Sequence, residues 1–415
     1  METPTCPESS TNANATNSEL TIKLHKLQQR SKAETILRKK AKLRISDLQE
    51  EIARLQHQTT PSPEQKMKTT NQNNKDIYIS PASFKEDTEF MTCNKIDRIN
   101  INTTTPLEFY QKYVSQSKPC ILTNAIDHWP AIIKWNDAKD TILSKCIRCQ
   151  QQNKTCGRDR IVTCNYTPHG AGDHIVNCEG DHNEIFVKPE ERNVKFGIAW
   201  DELKSKNESN GIPYLSIQND SLREQFTCLG QDIDVAGLQF ANQVFHGQEL
   251  SAVNLWIGDN RSTSSVHKDP FDNIYCVVRG VKTFTLLPPT DVRYLYEKPF
   301  PIGSYYQSKP GEKFAIVKEK GNVPWCQVDP LIPDLKKYPD FIHASPIHVE
   351  VKQGETLFLP ALWYHRVGSS GPDVTIAVNY WYDMKFGPVY TCYEMARRLT
   401  GLKKEMNIIL GDEGR

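Results

Sequence analysis

The feature that most limits what this chain can fold into is a series of short apolar segments in its C-terminal half. The segments are rich in Val, Ile, Tyr, Phe and Trp, and turn-forming residues such as Arg279-Gly280 separate them. Many short strands at close spacing favour a β-sandwich or barrel over a parallel sheet with crossover helices. We therefore predict a mainly β domain. Its strands are expected at Ala252–Ile257, Asn273–Val278, Val281–Leu287, His348–Val351, Thr356–Leu359 and Val374–Tyr382.

The chain divides by composition into an N-terminal extension and a globular region. Residues 1–17 are polar and predicted to be disordered, whereas residues 18–57 have a helical, coiled-coil-prone pattern. The basic run at residues 38–44 is either a solvated helix face or a contact for nuclear targeting or nucleic acid. Residues 58–76, rich in Thr, Pro, Gln and Asn, are predicted to be a linker. The extension therefore ends at residue 76.

The globular region, residues 77–415, carries helical patterns near both of its ends. Apolar spacing predicts a helix over Pro106–Val114, and Tyr390–Leu410 is a second helical candidate. Between the first helix and the strand series, Pro119–Leu122 has the character of a short buried strand. Helices are thus expected to flank a β core.

The overall composition excludes several functional classes. A formal net charge of +1 over 415 residues gives no global reason to expect binding to nucleic acid or to an acidic surface. The N-terminus lacks the apolar core of a secretory signal, and no stretch approaches the ~18 apolar residues of a membrane span. We expect a soluble protein of the cytoplasm, the nucleus or both, without a membrane partner. Its 12 cysteines are then expected to be mostly reduced thiols.

Three His-x-acid pairs, beginning at His182, His267 and His348, are candidate metal ligands. Such pairs arise easily by chance in a chain with 11 histidines. The pair at His348 lies in an alternating strand and is interpreted as part of a polar face. The pair at His182 lies in a polar, loop-like segment with no strand pattern after it. His267-Lys268-Asp269, in contrast, directly precedes two predicted strands, and a ligand bound there would be held by the sheet behind it.

A second histidine, His365, ends the apolar run that begins at Thr356. A lone histidine there would more often be a satisfied core residue. Ferrous oxygenases, however, hold their metal with two histidines and one carboxylate, which leaves coordination positions open. Residues i and i+2 of a strand point the same way, so His267 and Asp269 suit two of these ligands. Together with His365 they are predicted to form the metal site.

Several motifs together make the segment from about residue 100 to 385 resemble a Jumonji-C (JmjC) domain. Pro360–His365 matches the family's distal motif PxxWxH, and Asn379–Tyr382 matches the motif NxW(Y/F) of its last core strand. Trp129-Pro130-Ala131 and Trp135 match the entry motif of the small hydroxylase branch. The resemblance implies a cupin-like double-stranded β-helix, or jelly roll, with flanking helices and a C-terminal helical part.

The resemblance also implies the cofactors: Fe(II) at the three metal ligands, with 2-oxoglutarate and O2 as cosubstrates. Lys282 alternates with Phe284 and Leu286, and a lysine that faces the barrel interior is costly unless it meets an anion. The family places at this position the lysine that binds the far carboxylate of 2-oxoglutarate. By the same resemblance, the cosubstrate site also includes Ser264, Asn273, Asn379 and Tyr214.

The activity implied by this branch is hydroxylation of a protein lysyl side chain in the (3S) configuration. The implied partners are GTPases of the developmentally regulated GTP-binding family. A second implied activity is cleavage of histone tails beside methylated Arg or Lys. Lysine demethylation, RNA modification and a purely binding role of the cupin remain alternatives at this stage. The C-terminal helix could form a homodimer contact, as in relatives, or cap the core.

A Cys- and His-rich stretch between Cys146 and Cys178 is not explained by the family. The spacing of Cys146 and Cys149 suits a zinc site, but the remaining Cys and His residues are irregularly spaced. We therefore favour a flexible loop with reduced thiols over a metal site.

Overall fold

The computed structural model describes residues 95–136, 142, 156–177, 184–218, 220–371 and 373–398. All of these residues lie in the unit Ile79–Arg415. The predicted disordered, helical, basic and linker segments of the extension lie outside the described residues, so the division at residue 76 stays a prediction.

The described chain is dominated by strands, as predicted. In chain order they are β1 (Asp97–Asn100), β2 (Cys120–Thr123), β3 (Ile161–Thr167), β4 (Ala171–Gly172), β5 (His174–Asn177), β6 (Glu184–Lys188), β7 (Glu190–Lys195), β8 (Ile212–Tyr214), β9 (Leu250–Gly258), β10 (Thr263–His267), β11 (Phe271–Arg279), β12 (Val281–Leu287), β13 (Lys298–Tyr306), β14 (Ala315–Trp325), β15 (Ile347–Lys352), β16 (Thr356–Leu359), β17 (Tyr364–Ser370) and β18 (Thr375–Asp383).

Two large sheets form the core of the domain. The major sheet has the strand order β1-β2-β16-β11-β18-β9, and the minor sheet has the order β15-β12-β17-β10-β4. Side chains from both sheets meet in one apolar cluster, in which Tyr275 of the major sheet packs near Phe284 and Val367 of the minor sheet. Burying each large apolar side chain contributes roughly 1.5–3 kcal/mol, so this cluster holds the two layers together. The arrangement is the predicted cupin-like jelly roll.

The outer face of the major sheet is covered by the N-terminal helical part. Alternation along β11 sends Ile274, Cys276 and Val278 away from Tyr275 and into a second cluster, which contains Trp129 of the helical part. The helical segments are Pro106–Phe109 with its π-helical continuation Tyr110–Val114, Pro130–Lys134, Phe196–Ser205, Ser221–Glu224, Gln239–Val244 and residues 388–398, with 3-10 turns at Gly157–Asp159, Thr227–Asp232, Pro289–Tyr294 and Pro339–His343.

The first predicted helix is confirmed and has a clear start signal. Thr105 accepts a hydrogen bond from the Glu108 backbone N–H, the Glu108 carboxylate accepts from the Thr105 backbone N–H, and Pro106 occupies the first turn. The C-terminal helix is confirmed over residues 388–398, and the rest of its predicted range lies outside the described residues. No helix in the described ranges is long and apolar enough to cross a membrane.

Two sequence predictions about loops are wrong. The described part of the Cys-rich stretch, residues 156–177, contains β3, β4 and β5, because polar residues in β3 alternate with buried ones such as Val162 and Cys164. The segment after His182 begins β6, in which Ile185–Val187 is buried. β6 continues into a four-stranded sheet of order β14-β13-β6-β5, and β3 pairs with β7 and β8 in a three-stranded sheet.

Candidate metal and cosubstrate site

The two histidines of the predicted site lie opposite each other on neighbouring strands. β10 and β17 pair in antiparallel fashion, and His267 is the register partner of His365. The register shifts between Ser264 and His267, which is typical of a β-bulge. The ring centroids of the two histidines are 4.3 Å apart. Sheet pairing therefore brings together two residues almost one hundred positions apart in sequence.

Asp269 completes the cluster, but not in the way the His-x-Asp spacing predicted. β10 ends at His267, so Asp269 does not share a strand face with it. Instead Asp269 follows the strand, and its backbone carbonyl accepts a hydrogen bond of 2.9 Å from the N–H of Leu362. Leu362 has a left-handed φ of 69°, in the turn that leads into β17. The turn before the second histidine thus fixes the acid beside the first.

The ligand atoms of the three residues converge. Asp269 Oδ2 lies 3.8 Å from His267 Nε2 and 3.6 Å from His365 Nε2. All three ligand atoms lie within 4.8 Å of one another. Such a cluster of two imidazoles and one carboxylate suits a non-haem ferrous ion, because one face of the ion stays open.

Each histidine ring is oriented by the backbone of its own strand. The Nδ1–H of His267 donates to the carbonyl of Ser265 at 2.7 Å, and that of His365 donates to the carbonyl of Trp363 at 3.0 Å. Because a carbonyl can only accept, the proton of each neutral ring lies on Nδ1 and the lone pair lies on Nε2. Burial lowers the pKa of His365 to about 4, with a further decrease from nearby His267. The ring therefore stays neutral at physiological pH.

Trp325 is a further part of this cluster that the sequence analysis did not single out. Its ring lies parallel to His267, with an interplanar angle of 7° and centroids 5.9 Å apart. Its indole N–H donates to the Ser265 hydroxyl at 3.0 Å. Trp325 lies outside the predicted strands and gives no signal of such a role, because its contact with His267 exists only in the folded chain.

A pocket of about 350 Å³ of empty space, including its open mouth, lies in front of the three ligands. All of the predicted site residues line it except Lys282 and Asn379, which lie directly behind its wall. The lining consists of Tyr214, Gln218, Trp256, Ser264, His267, Asp269, Asn273, Tyr275, Phe284, His365, Val367 and Trp381.

Lys282 lies in the barrel interior, as its alternation along β12 predicted. Its side chain is 1% exposed, and its Nζ lies 3.5 Å from the hydroxyl of Tyr214. Burial lowers the pKa of Lys282 to about 7, and the only charge that raises it is that of Asp259. Burial also raises the pKa of Tyr214, which a hydrogen bond with Ser264 partly offsets. The lysine, the tyrosine and the serine form one linked polar group, and its tyrosine and serine line the pocket.

The two predicted asparagines are linked to each other. Asn379 donates from Nδ2 to Asn273 Oδ1 at 3.1 Å and accepts at Oδ1 from the Trp256 indole N–H at 2.7 Å. Asn379 is fully buried, whereas Asn273 lines the pocket. Asn379 therefore orients Asn273, and it is Asn273 whose amide nitrogen is left for the cosubstrate.

Two buried donors in the pocket indicate that the site is built for a polar ligand. The Tyr275 hydroxyl and the Trp381 indole N–H have no hydrogen-bond partner among the described residues. Buried polar groups are nearly always satisfied, and an unsatisfied one is destabilising by roughly 1–3 kcal/mol. A bound dicarboxylate such as 2-oxoglutarate would supply acceptors for these donors and a counter-charge for Lys282. The residues present thus fit both the metal and the cosubstrate.

Neither the pair His348 and Glu350 nor the described part of the Cys-rich stretch forms a second metal site. His348 and Glu350 are exposed on β15, and His348 Nδ1 contacts only the Thr285 hydroxyl, at 3.0 Å, so the polar-face interpretation is confirmed. Cys164 is a reduced thiol, and burial raises its pKa rather than favouring a thiolate. Cys146, Cys149 and Cys178 lie outside the described residues. Within the described ranges, the His-Asp-His cluster is the one group that could hold a metal.

The entry motif of the hydroxylase branch is structural. The indole N–H groups of Trp129 and Trp135 donate to Asp234 and Asp232, at 3.1 and 3.2 Å. Both tryptophans are buried behind the major sheet, away from the metal ligands. They stabilise the wall on which the site is built.

Comparison with known proteins agrees with this geometry. Residues 106–388 match the family described as a cupin-like domain. The chain is 35% identical to JmjC domain-containing protein E of Dictyostelium discoideum, over 80% of this chain and 95% of that protein. It is 35% identical to lysine-specific demethylase JMJ32 of Arabidopsis thaliana, over 79% of this chain and 93% of that protein.

A third relative is the bifunctional peptidase and (3S)-lysyl hydroxylase JMJD7 of Homo sapiens, which is 34% identical over 71% of this chain and 87% of that protein. The matched segments contain the strands that carry the His-Asp-His cluster and the buried lysine. The chain therefore belongs to the JmjC family of cupin-like oxygenases, which use Fe(II) and 2-oxoglutarate with O2.

Proposed function

We propose that this protein is a hydroxylase that adds a hydroxyl group to a protein lysyl side chain in the (3S) configuration. The observation that carries the proposal is the joint presence of an open His267-Asp269-His365 cluster and a buried lysine at one pocket. The His-Asp-His cluster or the buried lysine alone can be explained as a feature that only stabilises the fold. Together they match the needs of a metal that is chelated by a dicarboxylate.

The roles proposed for the residues follow from their positions. His267, Asp269 and His365 would hold Fe(II). Lys282 and Tyr214 would bind the far carboxylate of 2-oxoglutarate. Ser264 and Asn273 would assist as polar neighbours, with Asn379 orienting Asn273. When bound, the iron and 2-oxoglutarate supply the oxidative chemistry that places one oxygen atom of O2 on a substrate carbon. The protein contributes orientation and a pocket from which bulk water is excluded.

The apolar side chains of the pocket support the proposed role of the protein in orienting the cosubstrate and excluding water. Trp256, Phe284 and Val367 also line the pocket, and all three are buried. A low-polarity wall strengthens the attraction between Lys282 and a bound carboxylate, since screening by water is reduced. It also limits side reactions of bound O2 with solvent.

The choice of a lysyl substrate is supported by the names of the relatives. The Homo sapiens relative is named as a peptidase and a (3S)-lysyl hydroxylase, and the Arabidopsis thaliana relative is named as a lysine-specific demethylase. Both names concern lysine in proteins. Since the first of them specifies hydroxylation, we propose lysyl hydroxylation for this chain. The resemblance of the sequence to the small hydroxylase branch adds the proposed substrate, a GTPase of the developmentally regulated GTP-binding family.

The proposal is tested by incubating the purified protein with Fe(II), 2-oxoglutarate, O2 and a candidate GTPase. We expect succinate to form, and we expect mass spectrometry to find one added oxygen atom on a lysine of the GTPase. Omission of 2-oxoglutarate is the control and should abolish both signals.

The same measurement separates the competing functions. Loss of a methyl group from a methylated histone peptide would support a demethylase, and a backbone cut beside methylated Arg or Lys would support a histone-tail peptidase. A modified nucleotide in an RNA substrate would support an RNA oxygenase. Absence of any 2-oxoglutarate turnover with Fe(II) bound would contradict the oxygenase proposal itself.

A further inference from the structure

A second pocket continues from the metal pocket. It has about 340 Å³ of empty space and shares Tyr214, Gln218, Trp256 and Ser264 with the first pocket. Its remaining lining comes from β3, β4 and the residues beside them, including Asn165, Thr167, Asp173 and Ser216. We call this space the acceptor pocket, because hydrogen-bond acceptors line it.

Two buried oxygen atoms of the acceptor pocket have no partner. Asn165 is 8% exposed and Thr167 is 4% exposed. Asn165 Nδ2 donates to the Ser216 hydroxyl at 2.8 Å, which fixes the amide and leaves its Oδ1 for the pocket. Neither Asn165 Oδ1 nor Thr167 Oγ1 has a hydrogen-bond partner among the described residues. Buried acceptors of this kind indicate that a donor is supplied from outside the chain.

The carboxylate of Asp173 is a third acceptor in this pocket, beside Asn165 and Thr167. β4 pairs in parallel with β10, with Gly172 opposite Ser264, so the next residue, Asp173, lies level with Ser265. The Ser265 hydroxyl confirms this position by donating to the Asp173 backbone carbonyl. Gly170 allows the close approach, because its φ is +78° and an added Cβ would lie 1.9 Å from the Arg261 carbonyl oxygen.

The Asp173 carboxylate has no directly bonded cation among the described residues. No hydrogen bond or ion pair joins it to another side chain in the part of the chain that the structure describes, and Lys188, a nearby cation, is bound to Glu319 at 2.8 Å. Burial raises the pKa of Asp173, while His267 and Lys188 lower it. Asp173 is half-buried, and a partly buried carboxylate without a direct partner is stabilised by a cation.

We propose that the acceptor pocket binds the ammonium group of the substrate lysine, with Asp173, Asn165 and Thr167 as its three acceptors. An ammonium has three N–H donors and no acceptor, which matches a carboxylate, an amide oxygen and a hydroxyl. The aliphatic part of the lysine would then pass Ser264 and Trp256 into the metal pocket. Asp173 is a specificity residue in this arrangement and does not touch the metal.

This inference rests on the proposed lysyl hydroxylase function and adds the element that selects lysine. An anionic substrate group is excluded from the pocket by the carboxylate. A neutral aliphatic side chain would leave all three acceptors without partners. The planar guanidinium of arginine is larger than the compact ammonium and is a poorer match for a pocket lined by three separate acceptors. The pocket therefore predicts a strong preference for lysine over norleucine and a weaker one over arginine.

The test is a binding measurement with dye-labelled peptides that have one central lysine, norleucine or arginine in identical neutral flanking sequences. Fluorescence polarisation would be recorded with the wild-type protein and with Asp173→Asn, Asp173→Glu and Thr167→Val. Asp159→Asn is the matched control, since Asp159 is an exposed acid of the same segment that pairs with Lys195. The wild-type protein should bind the lysine peptide at least about tenfold more tightly than the norleucine peptide, as expected for a charged hydrogen bond.

Asp173→Asn should remove most of this preference, Asp173→Glu should restore part of it, and Asp159→Asn should leave it unchanged. A wild-type protein that binds lysine and norleucine peptides equally, or an Asp173→Asn variant that keeps the full preference, would overturn the inference. A preference for arginine over lysine would also overturn it. If lysine-selective binding depends on Asp173 while no succinate forms under any condition, the proposed function fails and the pocket assignment stands.

Discussion

His267 and His365 face each other across antiparallel strands, and each ring donates its Nδ1–H to the carbonyl two residues before it. The repeated arrangement points both Nε2 atoms at Asp269 before any ligand arrives. A site that is fixed in this way depends strongly on each of its ligands. The first prediction tests that dependence.

We expect His267→Ala or Asp269→Ala to abolish iron binding and succinate formation. Loss of residues that only orient a ligand typically reduces metal affinity by about 10–100-fold, so loss of a ligand should exceed this range. Iron content per chain and 2-oxoglutarate turnover are the measurements. His348→Ala is the matched control, because His348 belongs to the same type of His-x-acid pair but lies exposed on β15. Full activity in His267→Ala would disprove the ligand assignment.

Lys282→Ala should raise the KM for 2-oxoglutarate by about 10–100-fold, which corresponds to the loss of a charge-assisted hydrogen bond. The iron concentration needed for half-maximal activity should change far less, because Lys282 lies behind the pocket and contacts Tyr214 rather than a metal ligand. Titration of each component in steady-state assays is the measurement. Lys298→Ala, which removes an exposed lysine bound to Glu184, is the control. Equal changes in both requirements would show that Lys282 has a structural role.

The stability of the cosubstrate-free protein should rise with pH because of Lys282. Its pKa falls from 10.5 in the unfolded chain to about 7 in the folded chain. Between these values the unfolded state binds more protons, so the free energy of unfolding increases as pH rises through this window. Lys282→Met lacks this group and should lose that part of the pH dependence. Urea unfolding of both proteins at pH 7 and pH 9 measures it, and identical slopes against pH would contradict the prediction.

Tyr275→Phe should affect cosubstrate binding and Tyr380→Phe should affect stability, although the two strands that carry these residues are paired. The Tyr275 hydroxyl has no partner, so its removal should not lower the free energy of unfolding but should weaken 2-oxoglutarate binding. The Tyr380 hydroxyl donates to the Asp234 carbonyl at 2.8 Å, and its removal should destabilise the protein by about 1 kcal/mol. Denaturant unfolding and cosubstrate titration distinguish the two. A destabilised Tyr275→Phe variant with unchanged 2-oxoglutarate binding would contradict this reasoning.

The strands that the sequence predicted are those whose own composition favours a strand. β12 and β16 were predicted with the bounds that the structure has, since both are continuous apolar or alternating runs. β10 was missed, because Thr263-Ser264-Ser265 carries little β preference of its own. That segment is extended because β17 and β4 pair with it on both sides.

The site residues also divide into those that their own residue type makes predictable and those that depend on contacts in the folded chain. The metal ligands and Lys282 were predictable because histidine, aspartate and a buried lysine are uncommon at such positions and point to chemistry. Trp325 and Tyr275 were not predictable, because an aromatic residue in a strand is ordinarily a core residue. Asp173 was also missed, since its proximity to Ser265 depends on β4, a strand of two residues.

The burial of His365 also determines which agents can remove a metal from the site. His365 keeps its Nε2 lone pair down to about pH 4, so protons do not compete for that position in mildly acidic solution. A chelator competes directly for the ion and is not opposed by this arrangement. At this ligand, a shortage of iron should therefore empty the site more readily than mild acidity.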